Sequence, residues 1–214
     1  MSQVASVTAG VGGVAGPFAT RGEALRRLER GRGPYTRWWE YEDGARNVAA
    51  LVVEWDTAQG PVRRTISHCP GGGWALGPMP RPWLLYGLPE VLENPGQTVH
   101  VLGHEDAVVT AGSQGLLGTT SAEGAAGVSK TDWQPLAGRQ VALVPGNDPA
   151  GQWYAELVAG VLLALQPPAC VRIVRLPNLP YRGDIRAWLA ALPPGSNAER
   201  VALARARMAK LVAA

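Results

Sequence analysis

The stretch Val141-Ala-Leu-Val-Pro-Gly-Asn-Asp-Pro-Ala-Gly151 decides the fold class. Its first four residues are apolar and predict a buried strand, and Pro145-Gly146 predicts the turn that ends it. Asp148 followed by Pro149 predicts the start of a helix, because aspartate is a preferred N-cap and proline a preferred first helical residue. In open α/β sheets, polar groups with a chemical role lie at the carboxyl ends of parallel strands. Asp148 therefore stands where such a sheet would place a functional group.

Strands and helices alternate on both sides of this stretch. Besides 141–144, strands are predicted at 98–102, 115–120 and 170–176, and helices at 105–111, 149–165 and 185–192. This alternation predicts a parallel sheet with covering helices. Earlier in the chain, β-rich runs at 48–55 and 62–67 flank the turn Gln59-Gly60 and predict a small antiparallel module.

The sequence therefore predicts an α/β protein in four parts. Residues 1–34 are expected to form a flexible tail and a short basic helix, and residues 35–95 a small β-rich module. Residues 96–193 are expected to form the α/β domain, and residues 194–214 an amphipathic helix. Ser196 and Glu199 have the spacing of a capping box at the start of that last helix.

Composition excludes several classes of protein. Of the 214 residues only 17% are charged, while Gly (27) and Pro (18) are plentiful, which is typical of a globular protein with many turns. Apolar runs stop short of the ~18 residues that a membrane span needs, and Met1–Gly16 has no Lys or Arg of the kind that begins a signal peptide. Cys69 and Cys170 have no metal-binding or disulfide-rich spacing, so a cytoplasmic protein is expected.

The net charge of +3 and the pI near 9.1 are compatible with a nucleic-acid partner. Arginines concentrate before Trp38-Trp39, at positions 21, 26, 27, 30, 32 and 37. This cluster is either the solvated face of a helix or a patch that contacts phosphates beside aromatic residues. Four tryptophans, Trp38, Trp39, Trp55 and Trp74, are candidates for stacking on bases or for the hydrophobic core.

The segment Pro145-Gly146-Asn147-Asp148-Pro149-Ala150-Gly151 resembles a signature of the Toprim domain of phage and plasmid primases. In that family, hydrophobic residues lead into Pro-Asp-Asn-Asp, two variable residues and Gly, so Gly146 stands at the first aspartate. The family's Val-Glu-Gly-Glu-Lys-Asp-Ala aligns with Val101-Leu102-Gly103-His104-Glu105-Asp106-Ala107. Leu102 therefore stands at the position of the catalytic glutamate, and His104 at that of the second glutamate.

The resemblance covers roughly residues 35–192 and includes the order of several further segments. These are Leu84-Leu85-Tyr86-Gly87-Leu88-Pro89-Glu90, Thr119-Thr120-Ser121, Leu136-Ala137-Gly138-Arg139 and Arg182-Gly183-Asp184, the last followed by Ala187 where the family has an aspartate. The resemblance implies a Toprim-like (Rossmann-like) parallel sheet with covering helices. No Gly-x-x-x-x-Gly-Lys-Ser/Thr phosphate loop occurs in the sequence, so an ATP-driven motor is not expected within it.

Toprim enzymes hold Mg²⁺ with a cluster of carboxylates, and a glutamate handles the proton during phosphoryl transfer. Leucine and glycine side chains can do neither. By the resemblance, the acidic residues left for a weak Mg²⁺ site are Asp106, Asp148 and Asp184, and the candidates for a catalytic role are His104 and Glu105. Asp148 and Asp184 are also explained as helix N-caps without any metal.

Three functions remain open from the sequence. The favoured hypothesis is a primase-related protein of a phage or other mobile element that binds DNA or RNA, is catalytically impaired, and serves replication or its regulation. A helicase or another replication protein would be its partner, and the residues expected at the nucleic acid are Arg26, Arg27, Arg30, Arg32, Arg37 and Arg182. The alternatives are a Mg²⁺-dependent nucleotidyl or phosphoryl transferase with a rearranged carboxylate site, and a protein-interaction module that docks through helix 198–212.

Overall fold

The computed structural model describes residues 17–214, so the tail predicted for Met1–Gly16 lies outside the described residues. Contacts divide the chain into two compact units that alternate along the sequence. The first unit consists of the residues up to Trp38 together with Ala50–Pro78, and the second of Trp39–Ala49 together with Met79–Ala214.

The first unit begins with helix α1, Arg21–Arg32. Thr20 and Glu23 form a capping box at its start, which satisfies backbone N–H groups that the first turn leaves without partners. Ala24 is the buried residue of this helix, and its arginines point outward. The helix ends at Gly33, whose φ of 79° is a conformation that glycine adopts without steric cost.

Four strands form a sheet in the order β1-β2-β3-β4. They are β1 (Arg37–Glu42), β2 (Val48–Trp55), β3 (Val62–His68) and β4 (Trp74–Leu76). β2 pairs antiparallel with β3, and β3 pairs antiparallel with β4. The predicted hairpin is confirmed, and its turn is closed by reciprocal backbone hydrogen bonds between Thr57 and Gly60.

The second unit contains a five-stranded sheet in the order β5-β7-β6-β8-β9. Its strands are β5 (Leu85–Tyr86), β6 (Val99–Val101), β7 (Gly118–Ser121), β8 (Gln140–Leu143) and β9 (Cys170–Ile173). β6 to β9 are parallel, and β5 pairs antiparallel with β7. The helices are α2 (Leu88–Glu93), α3 (Glu105–Ser113), α4 (Pro149–Leu163), α5 (Ile185–Ala190) and α6 (Asn197–Ala213). This architecture confirms the predicted α/β fold class.

Alternate residues of β8 face two different hydrophobic clusters, because successive side chains of a strand point to opposite faces. Val141 and Leu143 pack in one cluster with residues of α2 and α4. Ala142 packs in the other cluster with Leu102 and residues of α3, α5 and α6. The sheet is therefore covered by helices on both faces, and its loops at the carboxyl edge remain available for a site.

The C-terminal helix α6 packs against the second of these clusters. It begins at Ser196 with the predicted capping box to Glu199, and it buries Ala204 and Met208. The apolar face that the interaction-module hypothesis assigned to a partner protein is thus already covered within the second unit. Across residues 17–214, no helix is both long enough and apolar enough for a membrane span.

Candidate functional site

The loops that follow β6, β8 and β9 are joined at the carboxyl edge of the parallel sheet. Asn147 makes the connection: its backbone N–H donates to Gly183 O at 2.8 Å, and its side-chain amide donates to Leu179 O and Pro180 O at 2.9 and 3.1 Å. In return the Arg182 N–H donates to Asn147 O at 3.1 Å. The asparagine of the Toprim-like signature therefore braces the loop that leads into α5.

Gly151, the last residue of the Toprim-like signature, is required for close packing at this edge. A Cβ on residue 151 would lie 2.7 Å from both the N and the O atoms of Gly146. Asp148 caps α4 by accepting a hydrogen bond from the Gly151 N–H at 2.7 Å. The predicted N-cap is confirmed, and one carboxylate oxygen of Asp148 is engaged in this hydrogen bond to the first turn of α4.

His104 is the N-cap of α3, and both of its ring nitrogens have partners. Nδ1 lies 3.3 Å from the Ala107 N–H and accepts from it. Nε2 lies 2.9 Å from Asp184 Oδ2. Because Nδ1 accepts, the hydrogen-bond network assigns the proton to Nε2, which donates to the carboxylate. In this arrangement His104 has no free lone pair with which to act as the general base.

Arg186 joins two of the predicted metal ligands. Its guanidinium lies 3.0 Å from Asp184 Oδ2 and 3.6 Å from Asp106 Oδ2. Burial raises the pKa of Asp184, but hydrogen bonds from His104 and Arg186 outweigh that effect and hold its pKa well below the usual range. A side-chain cation therefore lies beside both of the carboxylates at which a divalent ion would otherwise be expected, and offsets part of their charge.

Glu105 points into the core of the second unit and away from solvent. It is 1% exposed, and its carboxylate accepts a hydrogen bond from the Tyr41 hydroxyl at 2.8 Å. The ring of Tyr86 lies 5.4 Å from that of Tyr41, and burial together with the charge of Glu105 raises the pKa of Tyr86 to about 12. Leu102, at the position of the catalytic glutamate, is also 1% exposed.

These side chains, in the positions described, do not fit a Mg²⁺ site. Mg²⁺ requires near-octahedral oxygen ligands, whereas the oxygens of Asp184 are held by His104 and Arg186, and Asp148 caps a helix. Among residues 17–214, no group of three or more His, Cys, Asp or Glu side chains is arranged to hold a metal ion. The metal role of Asp106, Asp148 and Asp184 stays a prediction, as does the catalytic role of His104 and Glu105.

Asp184→Asn is expected to destabilise the protein by about 1.5 kcal/mol at pH 7, because hydrogen bonds to a charged group are lost. Since the folded-state pKa is depressed, this stabilisation is present above the ordinary pKa of 3.8 and is lost as the pH falls towards the folded value. Urea unfolding at pH 7 and at about pH 2.5, which is below the ordinary pKa of the carboxyl, should show the difference between wild type and variant narrowing at the lower pH. Glu156→Gln, a charge removal at an exposed position of α4, is the control and should change little. A difference that is constant with pH would contradict the ion-pair assignment.

The basic charge of the protein is concentrated in the first unit. That unit has eight arginines against four carboxylates, whereas the second has twelve basic residues against thirteen acidic ones. The arginines exposed on α1 are Arg21, Arg26, Arg27, Arg30 and Arg32. Arg37 instead pairs with Glu54 and Asp56 at 2.6 and 2.7 Å. Arg182 belongs to the second unit, where it is exposed in the braced loop with a φ of 62°.

The tryptophans separate into core and surface residues. Trp39 and Trp55 are buried and Trp74 is half-buried, whereas Trp38 is 55% exposed. The core interpretation is thus confirmed for Trp39 and Trp55 and wrong for Trp38. The strand period of two could have found this difference, because Trp39 and Tyr41 share one face of β1 and Trp38 lies on the other.

The sequence matches no protein-family model and no curated protein. The structure is similar to the primase fragment of the bacteriophage T7 primase-helicase protein, with 18% identity and a TM-score of 0.46 over 82% of this chain and 62% of that one. It is also similar to the DnaG catalytic core, with 15% identity and a TM-score of 0.48 over 78% of this chain and 52% of that one.

A DNA primase domain from Pseudomonas aeruginosa is a third such structure, with 17% identity and a TM-score of 0.42 over 73% of this chain and 51% of that one. The chain thus spans between half and two thirds of the length of these solved structures. They are primases, the group of proteins that the sequence motifs resemble. The values describe a partial likeness of fold, and no residue role follows from them.

Proposed function

We propose that this chain is a primase-related nucleic-acid-binding protein that binds without a divalent metal and whose Toprim-like edge does not catalyse phosphoryl transfer. The proposal rests on the observation that the carboxylates at the carboxyl edge of the parallel sheet are already bound by other side chains. Arg186 bridges Asp184 and Asp106, and His104 donates to Asp184. With leucine and glycine at the other two motif positions, the metal-binding and proton-transfer groups of the Toprim motifs are replaced or engaged.

Nucleic-acid binding is supported by the separation of charge between the units. The excess of arginine over carboxylate lies in the first unit, and α1 exposes five arginines on its surface. Phosphate contacts of this kind release condensed counterions and dominate sequence-independent binding. The motif resemblance supports a role in replication, or its regulation, in a phage or other mobile element, beside a helicase or another replication protein.

The test compares wild type with the triple variant Arg26→Gln, Arg27→Gln, Arg30→Gln. Fluorescence anisotropy with a labelled single-stranded DNA is measured over a salt series, in Mg²⁺ and again in EDTA. Because each contact to a single strand contributes about 0.7 to the salt slope, the variant should lose about 2 from its magnitude and bind about tenfold or more weakly at low salt. Wild-type affinity should be equal in Mg²⁺ and EDTA.

A matched control removes the same charge from α6. Arg205→Gln, Arg207→Gln, Lys210→Gln takes three exposed cations from the second unit, and its affinity should stay close to that of wild type. Absence of binding by the wild type, or equal losses in both triple variants, would contradict the assignment to α1. Binding that requires Mg²⁺ would favour the alternative of a metal-dependent enzyme with a rearranged site.

A further inference from the structure

Trp38 is an aromatic ring held in place at the surface of the first unit. Its exposed fraction is 55%, which is high for a tryptophan because this residue is usually largely buried. The ring is supported from one side by Tyr35, with ring centroids 5.7 Å apart and planes at 74°. An edge-on support of this kind fixes a ring while leaving surface free.

The support continues to the end of α1. Tyr35 packs edge-on against Trp55 at 6.5 Å, and the buried Trp55 donates its indole N–H to Gly33 O at 2.9 Å. The guanidinium of Arg32 lies over the Trp55 ring at 6.0 Å. The exposed ring of Trp38 is thus connected to an arginine of α1 through three contacts, none longer than 6.5 Å.

The cations near this aromatic series are suited to phosphate. Arg30 and Arg32 lie in the last turn of α1, and both are exposed. On the neighbouring strand β2, the charge of Glu54 is already matched by cations, because Glu54 pairs with Arg37 and with Arg63 at 2.6 Å each. An exposed indole, linked through Tyr35 and Trp55 to the exposed guanidinium of Arg32, combines the two elements of single-strand binding, base stacking and backbone attraction.

We propose that Trp38 is a base-stacking residue that makes the first unit selective for single-stranded nucleic acid. A single strand can present the face of a base to the indole, whereas in a duplex the faces are already stacked on each other. This inference rests on the proposed nucleic-acid binding and adds to it the strandedness of the ligand and the residue that selects it. The arginines attract any polyphosphate chain, and Trp38 distinguishes among such chains.

The experiment measures the anisotropy of three labelled ligands: an oligo(dT) of about 15 nucleotides, an abasic oligomer of the same length, and a duplex. Trp38→Ala should bind the oligo(dT) about tenfold more weakly than wild type, since stacking on an aromatic side chain contributes that order of affinity per base. Its binding to the abasic oligomer should be unchanged, because that ligand has phosphates and no bases. Trp38→Phe should recover part of the loss.

Trp153→Ala is the matched control, because Trp153 is 57% exposed, as Trp38 nearly is, and lies on α4 of the second unit. It should bind all three ligands as wild type does. If wild type binds no nucleic acid, the proposed function itself fails. If wild type binds and Trp38→Ala loses nothing on oligo(dT), or loses equally on the abasic oligomer, the function stands and the stacking role of Trp38 is overturned.

Discussion

Leu102→Glu, which returns the catalytic residue of the Toprim signature, is expected to destabilise the protein by about 4 kcal/mol and to restore no activity. Leu102 is 1% exposed and lies among Val108, Val174 and other apolar residues of the second cluster. A carboxylate there would lose its hydration without gaining a cation. Restoring glutamate at position 102 would therefore not restore the site, because the hydrophobic core of the second unit is packed around the leucine side chain.

Urea unfolding at pH 5 and pH 8 measures this effect and its cause. Burial raises the pKa of such a carboxyl, so the cost should increase as the pH rises above the ordinary pKa of glutamate. Leu102→Gln should cost less than Leu102→Glu at pH 8 and show little dependence on pH. If Mg²⁺ instead raises the unfolding temperature of the Leu102→Glu variant, the edge can still assemble a metal site, and the interpretation that the core is packed against a carboxylate at this position is wrong.

Gly151→Ala is expected to destabilise the protein by about 3 kcal/mol. The added methyl group would lie 2.7 Å from two backbone atoms of Gly146, and backbone cannot move aside as a flexible side chain can. The turn after β8 and the start of α4 would have to separate, and with them the hydrogen bonds of Asp148 and Asn147.

Gly160→Ala in the same helix is the control for helix propensity. A Cβ at position 160 would meet no atom within 4 Å, so this substitution should stabilise the protein by about 0.5 to 1 kcal/mol. Thermal unfolding of the two variants is therefore predicted to shift in opposite directions. A Gly151→Ala variant as stable as wild type would show that the contact between 146 and 151 is looser than described.

The structural roles that can be predicted from the sequence are those fixed by hydrogen bonds or side-chain patterns within a few residues of one another. Asp148 before Pro149 determines a helix start by its own hydrogen bond, and the capping box of Ser196 and Glu199 needs no distant partner. The alternation of Val141, Ala142 and Leu143 between two clusters follows from the pleat of a strand. Such local features are enough to predict the boundaries of the helices and strands to within a few residues.

The candidate site could not be predicted in the same way, because its contacts join distant segments. His104 and Asp184 are 80 residues apart, and Tyr41 and Glu105 are 64 apart. Arg186 is only two residues from Asp184, but it is the fold that places the same guanidinium beside Asp106. The cluster of arginines before Trp38 can be read from the sequence, whereas the ion pair between Arg37 and Glu54 is known only from the structure.

The alternation of the two units along the chain has a consequence for any attempt to produce the second unit alone. A fragment beginning at Met79 would omit residues 39–49, which belong to that unit. It would lose the hydroxyl of Tyr41 that binds Glu105 and the guanidinium of Arg46 that binds Glu90 and Glu93. A fragment designed on motif boundaries would thus expose Glu105 without its phenol partner and misfold for reasons unrelated to the Toprim-like motifs. A circular permutation or a short fusion that carries residues 39–49 ahead of Met79 is the design that keeps these bonds.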